Sequence, residues 1–277
     1  MTPLADYFAY TRPRSIPVTL VMAMTGWLAS PSRTAPVGDL AFLLVVYSGL
    51  LWGGTNAFNS AEDRDSGPVN LLPNPPPLPR HLGAFGLSLM AAAIVAAGVL
   101  RGWQCAALVT GAVVLSIFYS WRGAPWPRGK EIPGVDNLIN ASGCGIGSFC
   151  LGWCTTGEPL TAMALYFGLA WTVCLFGGMP TAQIFQLRPD DRGSNWTAHL
   201  GAARTLRFGA VLFMLHFALL ARVSSLGIAT VVWGAGVVSA TLHSAWWSRD
   251  PFVQPYHRML RQMTLLTVAQ LAWAIGA

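Results

Sequence analysis

Three carboxylates crowd into residues 56–68, NAFNSAEDRDSGP, where Glu62, Asp63 and Asp65 stand among Asn59, Ser60 and Arg64. Carboxylates held this close repel one another, and a divalent cation or a phosphate-bound metal removes the repulsion. The crowding is abrupt, because residues 37–54 just before it carry a single charge, Asp39. A second polar stretch, residues 183–192 with the sequence QIFQLRPDDR, again interrupts long apolar runs and brings Asp190 and Asp191. The chain has only 11 acidic residues, and five of them lie in these two stretches. A solvated loop accounts for one acidic cluster taken alone. Two clusters, each at the end of an apolar run, are expected to act as two halves of one site.

The elements that must position these residues follow from composition. Of 277 residues, 53% are hydrophobic and 10% charged, and the mean hydropathy is +0.49. Such a chain is too apolar for a soluble domain and is expected to fold as an all-α, polytopic membrane bundle, one domain over residues 1–277. Windows of about 20 residues give nine spans, at 15–30, 37–57, 82–100, 104–120, 138–156, 160–179, 206–221, 223–246 and 259–276. Charge supports the count. With a cytoplasmic amino terminus, only Arg33, Arg101 and Arg222 fall on the far side, and the other fourteen of the 17 Lys and Arg residues face the cytoplasm, as the positive-inside rule requires. Both acidic stretches then open on the cytoplasmic face of a bacterial-type cell membrane, with the carboxyl terminus opposite. The net charge of +6 follows from this asymmetry, so lipid is the expected surroundings and nucleic acid is not an expected partner.

The segments between the spans add cations. Arg12 and Arg14 precede the first span, as anion ligands or as topology anchors. No small-residue cleavage site follows that span, so it is expected to be retained. Pro73, Pro75, Pro76, Pro77 and Pro79 stiffen the stretch after the first acidic cluster and lead to Arg80, placed to meet a phosphate. Residues 119–137 open on Tyr119 and carry Arg128 and Lys130, the only lysine in the chain. The five cysteines fall inside spans, which argues against a disulfide framework or a zinc site. His216 and His243 read as polar links between helices in preference to proton carriers. Gly143, Gly145 and Gly147 spell GxGxG within a span, where close helix packing is expected and a nucleotide loop is not.

This order of motifs, Asn-x-x-x-Asp after the second span, a Tyr and Lys segment after the fourth and a second acidic stretch after the sixth, resembles the UbiA superfamily of intramembrane prenyltransferases over nearly the whole chain. The resemblance implies a nine-helix bundle with a central cavity open to the cytoplasm. It also implies Mg²⁺ held by two Asp-rich motifs, a polyprenyl diphosphate bound there, and transfer of the prenyl group to an aromatic or other lipophilic acceptor. Asn59 and Asp63 match the first motif, and Tyr119 and Lys130 resemble the Tyr and Lys that meet the diphosphate. Asp190 matches the close of the second motif, and Thr197, Leu200 and Gly201 its continuation. The implied metal set is Asn59, Asp63, Asp65, Gln186, Asp190 and Asp191. The implied diphosphate set is Asn59, Arg80, Tyr119, Arg128, Lys130, Gln183, Gln186 and Arg192, with Asp63, Tyr119, Lys130 and Asp190 as the catalytic group. The chain also departs from the pattern: Ser60 and Gly67 stand where acids are usual, leaving Asp65 as the substitute. Gln186 replaces an Asp, and Leu71, Leu72 and Asn74 occupy the neighbourhood of the usual arginines.

The chemistry suits the inventory. Diphosphate departs readily only once its charge is neutralised, which Mg²⁺ and cationic side chains accomplish. The allylic cation left behind needs shielding from water, and aromatic faces stabilise a cation; Phe58, Tyr119, Trp121, Phe149, Trp153 and Phe185 are candidates, interfacial anchoring is the ordinary role for most of them, and Tyr119, which opens the cationic segment, is the one singled out. Cyclisation of the same ionised substrate, or a lipid-binding or transport protein that kept the scaffold without catalysis, are the alternative readings.

Overall fold

Helices account for the regular structure in the computed structural model of the protein. It describes residues 4–32, 35–66, 69, 72, 74–123, 125–184 and 196–223, with 227, 230, 231, 234, 235 and 238 beyond them. In chain order the helices are α1 (Leu4–Tyr10), α2 (Ile16–Ala29), α3 (Pro36–Asp63), α4 (Leu82–Arg101), α5 (Trp103–Ser120), α6 (Val135–Ser142), α7 (Ser148–Thr155), α8 (Ala162–Gln183), α9 (Trp196–Leu200) and α10 (Ala202–Ala221). Five of them, α3, α4, α5, α8 and α10, are long and apolar enough to cross a membrane. Among the described residues the extended structure amounts to one isolated bridge, Val69 with Leu72. The expected eighth span is described at scattered helical positions, and the ninth lies outside the described residues.

Two expected boundaries shift for a physical reason. The second span was expected to end at Ala57, yet α3 continues to Asp63. The hydropathy drops at Asn56, but Ala57 and Phe58 still bury their side chains, so the helix gains from packing beyond its apolar run. The first acidic stretch is therefore largely the last turns of a helix and not a loop. The fifth expected span is α6 and α7, joined through a π-helical turn at Gly143–Gly147. A longer π-helical stretch, Leu43–Trp52, sits in the middle of α3, and such i→i+5 segments commonly accompany functional sites.

The chain divides into two compact units. The first comprises Met1–Arg128 and Cys150–Leu160, the second Gly129–Phe149 and Thr161–Ala277. In the first unit α3 and α4 meet backbone to backbone at two glycines. A Cβ on Gly86 would stand 2.7 Å from the Gly54 carbonyl oxygen and 2.7 Å from the Phe58 nitrogen, closer than any side chain tolerates. Gly152 of α7 meets the Ala23 carbonyl of α2 in the same way. At the amino-terminal end of α3, Asp39 is 1% exposed. It is held by Arg101 of α4 at 3.0 Å and by the Trp27 indole N–H of α2 at 3.1 Å. This partner set satisfies the one charge in the apolar run.

The second unit uses the same devices. A Cβ added to Gly177 of α8 would stand 3.1 Å from the Gly209 backbone, and one added to Gly209 of α10 would stand 3.0 Å from the Gly177 carbonyl oxygen, a closeness that small residues permit. His216 Nδ1 lies 2.7 Å from the Ala170 carbonyl, so this histidine links two helices, as expected. Of the GxGxG glycines, Gly145 is the one pressed against a neighbour: an added Cβ would stand 2.5 Å from Thr172 Oγ1. The Thr172 hydroxyl in turn accepts the Ile146 N–H at 2.9 Å.

Candidate functional site

The carboxyl-terminal end of α3 is built by a specific stop. Arg64 takes a left-handed conformation, φ 57° and ψ 44°. Its N–H reaches the Ala61 carbonyl at 3.3 Å, and the Asp65 N–H reaches the Ser60 carbonyl at 3.1 Å. These are the two bonds of a Schellman motif, with Arg64 where glycine is usual. The turn places Asp65 back beside the helix it has just left, near Ser60 and the Asn59–Asp63 face. Asn59 and Asp63, four residues apart, share that face.

A second left-handed residue meets this one from the amino-terminal side. Arg12 has φ 53° and ψ 64°; Pro13 disfavours the right-handed helical region for the residue before it and favours extended backbone, so the left-handed turn is not the proline's doing. Among the described residues, Arg12 and Arg64 are the two non-glycine positions with positive φ. Each left-handed residue costs roughly 1–2 kcal/mol, and such costs concentrate where function or a fixed geometry requires them. The requirement here is visible: the Arg12 side chain, 8% exposed, donates to Ser60 Oγ at 2.9 Å and lies 3.6 Å from Asp65. Burial pulls the Arg12 pKa below its ordinary value, while Asp65 and then Asp63 push it up. Asn56 completes the join by donating to the Thr11 carbonyl at 3.2 Å.

Three further contacts hold the end of α3. Ser120, the last residue of α5, donates to Asn59 Oδ1 at 2.9 Å. The Arg122 backbone N–H donates to Glu62 at 2.7 Å. Arg128 Nη1 sits 2.9 Å from Asp63 Oδ1. Among the expected residues of the first unit, Asn59, Asp63, Asp65 and Arg128 are thus gathered at one helix end, and Tyr119 is half-buried one residue before Ser120. Arg80 is exposed. It follows the proline-rich stretch, which is tied down where the Tyr10 hydroxyl donates to the Pro76 carbonyl at 2.6 Å.

In the second unit Lys130 lies, half-buried, in a 3-10 turn at Gly129–Glu131. Gln183 ends α8, and its amide oxygen contacts the Thr197 hydroxyl at 3.1 Å. Thr197 also donates to the Pro180 carbonyl at 3.0 Å. Asp136 accepts the Trp196 N–H at 3.3 Å and the Gly134 N–H at 2.8 Å. These bonds fix both flanks of the second acidic stretch. Gln186, Asp190, Asp191 and Arg192 lie outside the described residues. Phe185 does as well.

Sequence reasoning left four contributors unassigned. Ser60 was noted only for replacing an acid, and here it receives Arg12. Ser120, Asp136 and the Arg122 backbone carry no sequence signal, because each reaches a site partner 60 or 61 positions away. Arg12 did carry one: an arginine immediately before a proline at the entrance to an apolar helix.

Five long apolar helices, and a carboxylate–amide pair one turn apart at the end of one of them, define an integral membrane protein with a polar site at a helix terminus. The chain belongs to the UbiA prenyltransferase family, whose profile matches residues 16–255. It is similar to the protoheme IX farnesyltransferase of Novosphingobium aromaticivorans, 26% identical over 176 residues, which is 60% of this chain and 55% of that protein. It is also similar to the protoheme IX farnesyltransferase of Agrobacterium fabrum, 28% identical over 192 residues, covering 66% and 57% of the two chains. The chain thus spans about half the length of the curated relatives it matches. Its fold is similar to that of a UbiA homolog from Archaeoglobus fulgidus bound to GPP and Mg²⁺, with a TM-score of 0.69 at 16% identity over 98% of this chain and all of that one. A digeranylgeranylglyceryl phosphate synthase gives a TM-score of 0.69 at 14% identity, with both chains fully covered.

Proposed function

We propose that the protein transfers a prenyl group from a prenyl diphosphate to a lipophilic acceptor within the membrane, with Mg²⁺ as cofactor. The observation that carries this reading is the end of α3, where Asn59 and Asp63 share a face and Arg128 meets Asp63. Family membership supports the nine-helix, single-domain organisation and the cytoplasmic opening, which remain part of the proposal. Protoheme IX is the first acceptor to test and a farnesyl chain the first donor, since relatives carry the name protoheme IX farnesyltransferase.

The donor set suits Mg²⁺. Amide and carboxylate oxygens are hard ligands, and they sit at a helix carboxyl terminus, where the backbone dipole favours a cation. Among the described residues no three His, Cys, Asp or Glu side chains converge. Mg²⁺ commonly keeps several waters and is bound through carboxylates together with substrate phosphates. Asn59, Asp63 and Asp65 would hold it from the first stretch, and Gln186, Asp190 and Asp191 from the second. Bound Mg²⁺ supplies the charge neutralisation that lets diphosphate leave.

The chain's own groups do the rest. Arg128, Lys130, Arg80 and Arg192 would bind phosphate oxygens. Gln183 and Gln186 offer amide N–H groups to the same oxygens. Tyr119 would meet the diphosphate, and an aromatic face there would stabilise a developing cation. The apolar helices exclude water from the allylic cation. The test is incubation of the purified protein with labelled farnesyl diphosphate and Mg²⁺, with and without protoheme IX or an aromatic acceptor. Prenylated acceptor, formed only when acceptor is supplied, is the expected result. A cyclic hydrocarbon or alcohol formed without acceptor would replace transfer with cyclisation, and binding without turnover would point to a non-catalytic scaffold.

A further inference from the structure

We propose that Arg128 couples metal loading to diphosphate loading: its guanidinium holds the Asp63 carboxylate until a diphosphate draws it away, so that cation and diphosphate bind together. The inference rests on the reading of the site given above and adds the order in which its parts become available.

Asp63 is the residue assigned to the cation, and Arg128 Nη1 lies 2.9 Å from its Oδ1, with side-chain exposures of 12% and 23%. A carboxylate oxygen facing a guanidinium at this distance is engaged in a charge-assisted bond. A divalent cation competes for the same oxygen and repels the same guanidinium. Arg128 is well placed to leave: it sits in irregular chain between Pro127 and Gly129, after α5 has ended, and its planar fork matches phosphate as well as it matches carboxylate. The neighbouring arginines differ. Arg12 is fixed by its left-handed backbone and its bond to Ser60, and Arg122 reaches Glu62 through its backbone N–H while its side chain is exposed.

Pairing arithmetic sets the sign of the coupling. If the cation enters alone, it takes the Asp63 oxygen that Arg128 holds and repels the guanidinium. If a diphosphate enters alone, it gains Arg128 but leaves Asp63 facing an anion. When both enter, Asp63 takes the cation, Arg128 takes phosphate, and no charge is left unmatched in a partly desolvated setting. Each ligand therefore strengthens the other by the same factor.

The test uses the full chain in detergent. Mn²⁺, standing for Mg²⁺, is titrated without diphosphate and free Mn²⁺ is followed by electron paramagnetic resonance. Arg128→Gln is expected to bind Mn²⁺ about tenfold more tightly than wild type, equivalent to ~1.4 kcal/mol, within the range of one charge-assisted bond. Arg122→Gln removes the same charge nearby without that contact and is expected to stay within about twofold of wild type. Tritiated farnesyl thiolodiphosphate, bound with and without Mg²⁺, gives the second readout. Wild type shows a strong Mg²⁺ enhancement and Arg128→Gln a much smaller one. Equal Mn²⁺ shifts in the two variants, or weaker Mn²⁺ binding by Arg128→Gln, would overturn the proposal. Should Arg128→Gln not fold, Arg128→Lys, which loses the fork and keeps the charge, is expected to shift Mn²⁺ binding in the same direction by a smaller factor, and no shift there overturns it as well. Failure of wild type to bind farnesyl thiolodiphosphate at all would instead refute the proposed function, while the Mn²⁺ comparison still decides the role of Arg128.

Discussion

Replacing Arg12 by Met removes the link that binds the amino-terminal segment to the end of α3, and the structure sets the size of the loss. The Arg12–Ser60 bond is 2.9 Å long and buried, and a hydrogen bond to a charged group contributes about 1.5–3 kcal/mol. Asp65, at 3.6 Å, is beyond hydrogen-bond distance and partly exposed, so its share is the smaller, roughly 0–1 kcal/mol. Met replaces much of the apolar stem, so that part changes little. The expected destabilisation is about 2–3 kcal/mol. It is read by reversible unfolding in mixed micelles with tryptophan fluorescence, in a double-mutant cycle with Ser60→Ala. The cycle is expected to show a coupling of about 1–2 kcal/mol. An Arg12→Met protein within about 0.5 kcal/mol of wild type, or strictly additive effects, would refute the assignment and leave Arg12 as a topology anchor.

Gly86→Ala places a methyl 2.7 Å from the Gly54 carbonyl and the Phe58 nitrogen. It is expected to cost about 1–3 kcal/mol and, by pushing the end of α3 away, to lower prenyl transfer; a thermal melt and a turnover assay check both. Arg64→Gly relieves a left-handed arginine and is expected to stabilise by up to about 1 kcal/mol, less the entropy that glycine adds to the unfolded chain. Thr197→Val removes the hydroxyl that meets Pro180 and Gln183. It is expected to cost roughly 1–2 kcal/mol, with Thr197→Ser restoring the melting temperature.

The apolar periodicity made the membrane class and the positions of α4, α5, α8 and α10 legible, because burial in lipid demands an almost unbroken apolar run. The end of α3 was not legible in the same way. Hydropathy registers only where the apolar run stops, whereas the helix stops seven residues later, at a hydrogen-bonded turn built on Arg64. Asp63 and Asp65 stood out by charge crowding and Asn59 by the resemblance of its spacing to an Asn-x-x-x-Asp motif, and the structure adds what each meets: Ser120 for Asn59, Arg128 for Asp63 and Arg12 for Asp65. Those partners lie 53 to 65 positions away, and single polar contacts of that range leave no pattern in a sequence. Asp39 shows the same limit from the other side. Its isolation in an apolar run marked it as unusual, but its partners Trp27 and Arg101 follow only from how three helices meet.

In the proposed mechanism Asp63 serves the cation on which diphosphate release depends. The most direct measurement of this role compares wild type with Asp63→Asn for diphosphate released from labelled farnesyl diphosphate, with acceptor present, across a Mg²⁺ titration. The account predicts Mg²⁺-dependent release by wild type, and release at least about a hundredfold lower from a folded Asp63→Asn protein at every Mg²⁺ concentration. Equal release by the two proteins, or release by wild type that ignores Mg²⁺, would contradict it.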